Sequence, residues 1–120
     1  MQREHEEAMR AEFAERVSLE NKRLDPATTD AELDRIWERT SDINERWAAG
    51  PHAEQWEFLN DAYYDWQRSP QVMERVRADL AHNQAQGDPG GFDEVQMRSI
   101  EQTRQLTQPQ QQNQRPVRER

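Results

Sequence analysis

The sequence contains no cysteine, which excludes disulfide bonds, thiolate chemistry and zinc sites built on cysteine. Long apolar stretches are also missing, since no more than three apolar residues follow one another anywhere in the chain. We therefore expect neither a cleaved signal segment nor a membrane span, and the cytoplasm is the default location.

Aliphatic side chains and phenylalanine are scarce. Leu, Ile, Val and Phe together number 17 of 120 residues and the formal net charge is −8, a composition that leans towards disorder. Four Trp, two Tyr and four Met act against this tendency because aromatic side chains bury large areas. The apolar residues also recur at helical spacing. The sequence predicts a small all-α protein with a thin core, stabilised by a partner or by self-association.

Turn-forming residues predict a small bundle of four to five helices with an antiparallel hairpin of the second and third helices at its centre. The first helix carries a narrow apolar seam that ends at Leu24. The expected organisation is a helical bundle over 1–86, a Gly/Pro linker over 87–91, a weakly apolar helix over 92–107 and a disordered Gln/Arg-rich tail over 108–120.

Local signals define the ends of two helices. Thr29 followed by Glu32 matches a capping box and predicts the start of helix 2. Gly50, followed by proline, is expected to end that helix in the left-handed conformation. Ser69 and Pro70 predict the N-cap and the first residue of helix 4.

The segment from Trp56 to Trp66 holds five of the nine aromatic residues. Helical spacing places Trp56, Leu59 and Trp66 on one face, and such a face usually belongs to the core. We expect these side chains to pack against the apolar residues of helix 2, which are Leu33, Ile36, Trp37, Ile43 and Trp47.

A second face of the same helix carries a column of carboxylates with an aromatic residue on each side. The candidate partner-binding residues are Glu54, Glu57, Phe58, Asp61, Tyr64 and Asp65. Like charges one turn apart disfavour a helix by about 0.2–0.5 kcal/mol per pair, and Arg68 is the only base in this helix.

Helix 2 provides a comparison, because it also carries a column of carboxylates: Asp34, Glu38, Asp42 and Glu45. A second column of Arg35, Arg39 and Arg46 lies beside it, so helix 2 is expected to neutralise its own charge. Residues 25–69 carry −7 of the net charge of −8, which concentrates the acidity on these two helices.

Three explanations of the helix 3 column remain open. The carboxylates are simply solvated, or arginines of the same chain pair with them, or an external basic partner does so. The intramolecular candidates are Arg10 and Arg16 of helix 1 and Arg115, Arg118 and Arg120 of the tail. In the third case, arginines of the partner pair with the carboxylates and stack on Phe58 or Tyr64.

The sequence lacks the spacing of known catalytic, cofactor or metal-binding motifs, so we expect no enzymatic activity, no cofactor and no metal. His5, His52 and His82 lie far apart in sequence and are expected at exposed positions or helix ends. The chain has a pI near 4.9. Direct binding of nucleic acid is disfavoured because an acidic protein repels phosphate groups.

The resulting functional prediction is a non-enzymatic protein-interaction module or accessory subunit that binds a basic protein partner. One alternative is an acidic inhibitor that imitates nucleic acid against a DNA- or RNA-binding protein. The other is an obligate homo-oligomeric structural protein.

Overall fold

The computed structural model describes residues 1–87 and 91–114, with side chains up to Gln108. These residues form five α-helices and no strand, which confirms the all-α prediction. The helices are α1 (Arg3–Arg23), α2 (Asp30–Ala48), α3 (Ala53–Arg68), α4 (Pro70–Ala85) and α5 (Glu94–Gln114). The chain divides into two compact units, Met1–Glu57 and Phe58–Arg120, and the division falls within α3.

The start of α2 is the predicted capping box. The Glu32 amide donates to the Thr29 hydroxyl at 3.2 Å, and the Thr29 amide donates to the Glu32 carboxylate at 2.9 Å. The prediction for the end of α2 was wrong in its mechanism, because Gly50 does not adopt a positive φ. Glycine fits there because a Cβ atom would lie only 3.0 Å from the carbonyl oxygen of Arg46.

Helix α4 begins at Pro70 as predicted, because the missing amide of proline is not needed in the first turn. Ser69 is the N-cap residue, but its side chain makes no capping hydrogen bond. The left-handed glycine follows this helix rather than α2, since Gly87 has a φ of 82° and its amide donates to the carbonyl of Gln84.

Helix α5 is longer than the predicted 92–107, because it begins at Glu94 and continues to Gln114. Asp93 caps its first turn, with the Gln96 amide donating to the Asp93 carboxylate at 2.7 Å. Glutamine has a high helix propensity and extending an existing helix costs little, which explains the continuation past Thr107. Residues 88–90 of the predicted linker and 115–120 of the predicted tail lie outside the described residues.

In the first unit, the most extensive packing joins α1 to α2. The buried apolar residues of these two helices are Met9, Phe13, Val17, Ile36 and Ile43. Leu24 was predicted to continue the α1 seam, but it is 75% exposed. It lies at the C-cap of α1, beyond the last helical turn, so helical periodicity no longer sets its direction.

The second unit has its own apolar cluster, formed by Ala62, Trp66, Met73, Leu80 and Ile100. Phe58, Val76, Phe92 and Met97 are partly buried against it. The indole N–H of Trp66 donates to the carbonyl of Ile100 at 3.0 Å, which satisfies the one polar atom of this side chain. At the edge of the cluster, Arg77 of α4 binds both carboxylate oxygens of Glu101 of α5, at 2.8 and 2.9 Å.

Candidate functional site

The apolar face of α3 is buried as the sequence predicts, since Trp56, Leu59 and Trp66 all lie in the interior. Trp56 stacks on Trp47 with ring centroids 6.0 Å apart, which agrees with the expected contact with α2. Trp66 was expected against α2 as well, but it belongs to the cluster of the second unit with Met73, Leu80 and Ile100. Periodicity indicates which face of a helix is buried and does not indicate which helix covers it.

The six predicted partner-binding residues are divided between the two units. Glu54 and Glu57 lie in the first unit, and both side chains are exposed. Phe58, Asp61, Tyr64 and Asp65 lie in the second unit.

Phe58 does not flank the carboxylates as an accessible ring. It is half-buried against the apolar cluster of the second unit and meets Phe92 edge-to-face, with ring centroids 6.1 Å apart. Phe92 precedes α5, so a contact from outside α3 determines the role of Phe58. Phe58 is therefore only partly accessible, and its binding of a partner stays a prediction.

Tyr64 is 55% exposed, which agrees with its predicted place outside the core face. The guanidinium carbon of Arg68, one turn later in α3, lies 4.9 Å from the centre of the Tyr64 ring. This distance is within the range in which a cation is attracted by the face of an aromatic ring. Arg68 therefore contributes its charge at the tyrosine.

Asp61 and Asp65 are exposed and lie one turn apart on α3. Neither carboxylate takes part in an ion pair within residues 1–87 and 91–114. Arg68 stacks on Tyr64, which lies between Asp61 and Asp65 in the sequence. It does not form a salt bridge with Asp65. The described part of the chain thus leaves both carboxylates for solvent or for a ligand.

The α1 arginines that were candidates for neutralising the α3 column have other contacts. Arg10 pairs with Glu6 at 3.5 Å, and Arg16 donates to Asn44 at 2.7 Å. The Arg16 guanidinium also lies 4.8 Å from the centre of the Phe13 ring, in the interior of the first unit. The three tail arginines lie outside the described residues.

The prediction that α2 neutralises its own carboxylates with its own arginines is wrong. Arg39 forms a two-point contact with Glu15 of α1, at 2.7 and 2.9 Å. Arg46 reaches Glu12 of α1 at 2.9 Å, and the same Glu12 carboxylate oxygen accepts the indole N–H of Trp47 at 2.7 Å. Hydrogen bonding to Arg39 lowers the pKa of Glu15 below its ordinary value.

The α2 carboxylates, like Asp61 and Asp65 of α3, therefore form no ion pair among the described residues. Within the described ranges, no ion pair involves Asp34, Glu38, Asp42 or Glu45. All four side chains are exposed.

Trp37, which was assigned to the α2 core face, is 66% exposed. Its position at the edge of the predicted apolar sector was the only sequence signal of this exposure. An exposed, unpaired acidic column with a tryptophan beside it is the feature that the sequence interpretation missed on α2.

Two histidines that lie far apart in sequence meet in the first unit. The Nε2 atom of His52 and the Nδ1 atom of His5 are 3.3 Å apart, within hydrogen-bonding distance. In the portion of the chain that the structure describes, no group of three or more His, Cys, Asp or Glu side chains could hold a metal ion. No helix among these residues has the length and apolar character needed to span a membrane.

The chain matches no protein-family model, and no curated protein or solved structure is significantly similar to it. Its candidate site is therefore defined by its own geometry: on α3, two unpaired carboxylates beside an exposed tyrosine whose ring carries a guanidinium.

Proposed function

We propose that this chain is a non-enzymatic interaction module or accessory subunit that binds a basic protein partner through α3. The partner contributes an arginine that pairs with Asp61 or Asp65 and lies against the Tyr64 ring. The observation that supports this proposal is the contact of 4.9 Å between Tyr64 and the guanidinium of Arg68. A surface that already holds one guanidinium has the chemistry to hold another.

Arginine suits this surface better than lysine. A guanidinium is planar, so it can bind a carboxylate through two parallel hydrogen bonds and stack on an aromatic ring. Lysine carries the same charge as a compact and strongly hydrated ammonium, which gains less from the ring. The proposal therefore requires selectivity for arginine in addition to attraction between opposite charges.

Charge also favours such a partner during association. The two aspartates are exposed and unpaired among the described residues, so a bound cation relieves their mutual repulsion. Because both groups remain accessible to solvent, we expect binding to weaken as salt increases.

The α3 proposal is tested by following the backbone amides of residues 61–68 in an NMR titration of the ¹⁵N-labelled full chain. The probe is a capped peptide, acetyl-Arg-Ala-Ala-Arg-amide, added at low salt. We expect saturable shifts at Tyr64 and Asp65 and an affinity at least threefold weaker in the Asp61→Asn/Asp65→Asn double variant.

A matched control removes two exposed, unpaired carboxylates from other helices. In the Glu4→Gln/Asp79→Asn variant, the affinity measured at Tyr64 should stay within twofold of wild type. Equal affinities for the α3 double variant and this control would contradict the proposal, since only net charge would then matter.

Imitation of nucleic acid is the second candidate, and the pairing of the α2 arginines with α1 favours it. Arg39 and Arg46 bind Glu15 and Glu12, and among the described residues they form no ion pair with the acidic column of α2. Under this hypothesis, duplex DNA and the chain compete for the same site on a nucleic-acid-binding protein. Simultaneous binding of DNA and the chain to the isolated partner would exclude it.

A further inference from the structure

The most exposed aromatic side chain of the first unit is Trp37 on α2, with 66% of its surface accessible. Within residues 1–87 and 91–114, its ring stacks on no other ring and carries no cation. Burial of tryptophan is strongly favourable, and contiguous exposed apolar surfaces rimmed by polar residues mark interaction sites. Half-buried Leu33, one turn earlier on the helix, extends the apolar surface beside it.

Within α2, the column of charged residues beside Trp37 around the helix axis is acidic. On an ideal helix with 3.6 residues per turn, the four α2 carboxylates follow Trp37 on one side at about 60–140° around the axis. Asp34 and Glu38 are the nearest in sequence, and both are exposed and unpaired among the described residues. The arginines of α2 lie further round, towards α1, where Arg39 and Arg46 bind glutamates.

This charge pattern discriminates between possible occupants. A second copy in a two-fold symmetric contact would place the acidic α2 faces against each other, which like-charge repulsion disfavours. An uncharged apolar partner would cover carboxylates without pairing them, which is costly. A basic side chain compensates the charge, and arginine, unlike lysine, does so with a planar group that also stacks on indole.

We propose that Trp37, Asp34 and Glu38 form a second docking surface, which binds an arginine-bearing segment of a protein partner. The guanidinium stacks on the indole and donates hydrogen bonds to one of the two carboxylates. The first unit already contains a contact of this kind in its interior, where the Arg16 guanidinium lies 5.5 Å from the centre of the Trp56 ring. This surface shares no residue with the α3 site, so the inference stands if the α3 proposal fails.

The test uses resonances that belong to α2 alone. The indole N–H signal of Trp37, assigned with Trp37→Phe, and the backbone amide of Glu38 are followed in the ¹⁵N-labelled full chain. The probes are acetyl-Arg-Ala-Ala-Arg-amide and its lysine counterpart, acetyl-Lys-Ala-Ala-Lys-amide, at the same ionic strength. We expect saturable shifts with both peptides and at least threefold tighter binding of the arginine peptide.

Two variants separate the ring from the charges. Trp37→Ala should weaken the binding measured at the Glu38 amide at least threefold and reduce the preference for arginine over lysine. Asp34→Asn/Glu38→Gln should weaken the binding of both peptides, and the Glu4→Gln/Asp79→Asn control should not. Unchanged positions of the amide signals remote from α2 would show that each variant keeps its fold.

Several results would overturn the inference. Equal affinities for the arginine and lysine peptides would mean that Trp37 does not take part, as would unchanged binding in Trp37→Ala. A Trp37 signal that shifts with protein concentration in the absence of peptide would assign this surface to a second copy of the chain. Shifts on α3 together with none on α2 would leave the α3 proposal intact and exclude this one.

Discussion

Helices α2 and α3 carry similar columns of four carboxylates, but the arginines near them have different partners. On α3, Arg68 stacks on Tyr64 of its own helix. On α2, Arg39 and Arg46 extend to glutamates of α1. The sequence pattern indicated a neutralised α2 and an exposed acidic α3, whereas both columns are unpaired among the described residues.

The charge balance of one helix therefore depends on the helices that pack against it. The side chain of arginine is long. An arginine that lies between the acidic column and the buried face of its helix can therefore pair with a carboxylate of the same helix or of the neighbouring helix. Glu15 of α1 offers Arg39 two carboxylate oxygens, at 2.7 and 2.9 Å. Such a two-point contact is favoured over a single contact along the helix surface. Arg39 therefore pairs with α1, and the α2 carboxylates form no ion pair among the described residues.

The largest change in stability is expected when a buried tryptophan of α3 is compared with an exposed tryptophan of α2. Trp66 of α3 is 2% exposed and its indole N–H is hydrogen-bonded, so Trp66→Ala should lower the free energy of unfolding by about 3–5 kcal/mol. Trp37→Ala on α2 should change it by less than about 0.5 kcal/mol. Urea denaturation followed by circular dichroism measures both values.

If Trp66→Ala does not fold, Trp66→Phe retains a ring and loses the hydrogen bond to Ile100. That loss should cost about 1 kcal/mol. Greater destabilisation by Trp37→Ala than by either Trp66 variant would contradict the assignment of the two tryptophans.

A smaller effect tests the partner of Arg39. Glu15→Gln should lower the melting temperature at pH 7, because it removes the two-point contact with Arg39. Glu38→Gln, which removes an α2 carboxylate next to Arg39 in sequence, should leave it unchanged or raise it slightly. Equal destabilisation by the two substitutions would restore the original interpretation, in which α2 neutralises itself.

The Glu15 contact also has a defined pH dependence. Because the pKa of Glu15 is lowered in the folded protein, its contribution to stability is present above the ordinary glutamate pKa of about 4.3. It is lost as the pH falls through the lower pKa of the folded state. The difference in melting temperature between wild type and Glu15→Gln should therefore be largest near neutral pH and disappear in acid.

The smallest effect is expected from a substitution that leaves Tyr64 of α3 without a cation on its ring, as Trp37 of α2 is among the described residues. Arg68→Gln removes the cation from Tyr64 and should cost no more than about 0.5–1 kcal/mol of stability. It should tighten the binding of the arginine peptide at Tyr64 by about twofold, because one ring face is uncovered and one repelling charge is lost. Arg75→Gln removes an exposed and unpaired arginine of α4 and serves as the control. Weaker binding by Arg68→Gln would mean that Arg68 helps to form the site.

Local sequence patterns were sufficient to locate the five helices and the starts of α2 and α4, but not the end of α5. The Thr29–Glu32 capping box and the proline at position 70 define helix starts through interactions within a few residues. The burial of Trp56 and Leu59 followed from helical periodicity. Each of these features is determined by residues within about one or two helical turns of each other, so it can be predicted from the sequence alone.

The candidate site could be predicted only in part, because covering groups come from elsewhere in the chain. Phe58 meets Phe92, which lies 34 positions later, and no pattern within α3 indicates that contact. Trp37 lies at the edge of the apolar sector of α2, where a small rotation decides between burial and exposure. Tyr64 and Phe58 both lie outside the core face of α3, but only Tyr64 is largely exposed, because no ring from elsewhere in the described chain packs against it.

The central claim is that the acidic faces of α2 and α3 recognise arginine through an aromatic ring rather than attracting any cation. One titration of the ¹⁵N-labelled wild-type chain tests it, with the arginine and lysine peptides compared at equal ionic strength. We expect saturable shifts centred on Trp37 and Tyr64, with the arginine peptide bound more tightly at both. Equal shifts for the two peptides, spread over all exposed carboxylates including Glu4 and Asp79, would contradict it.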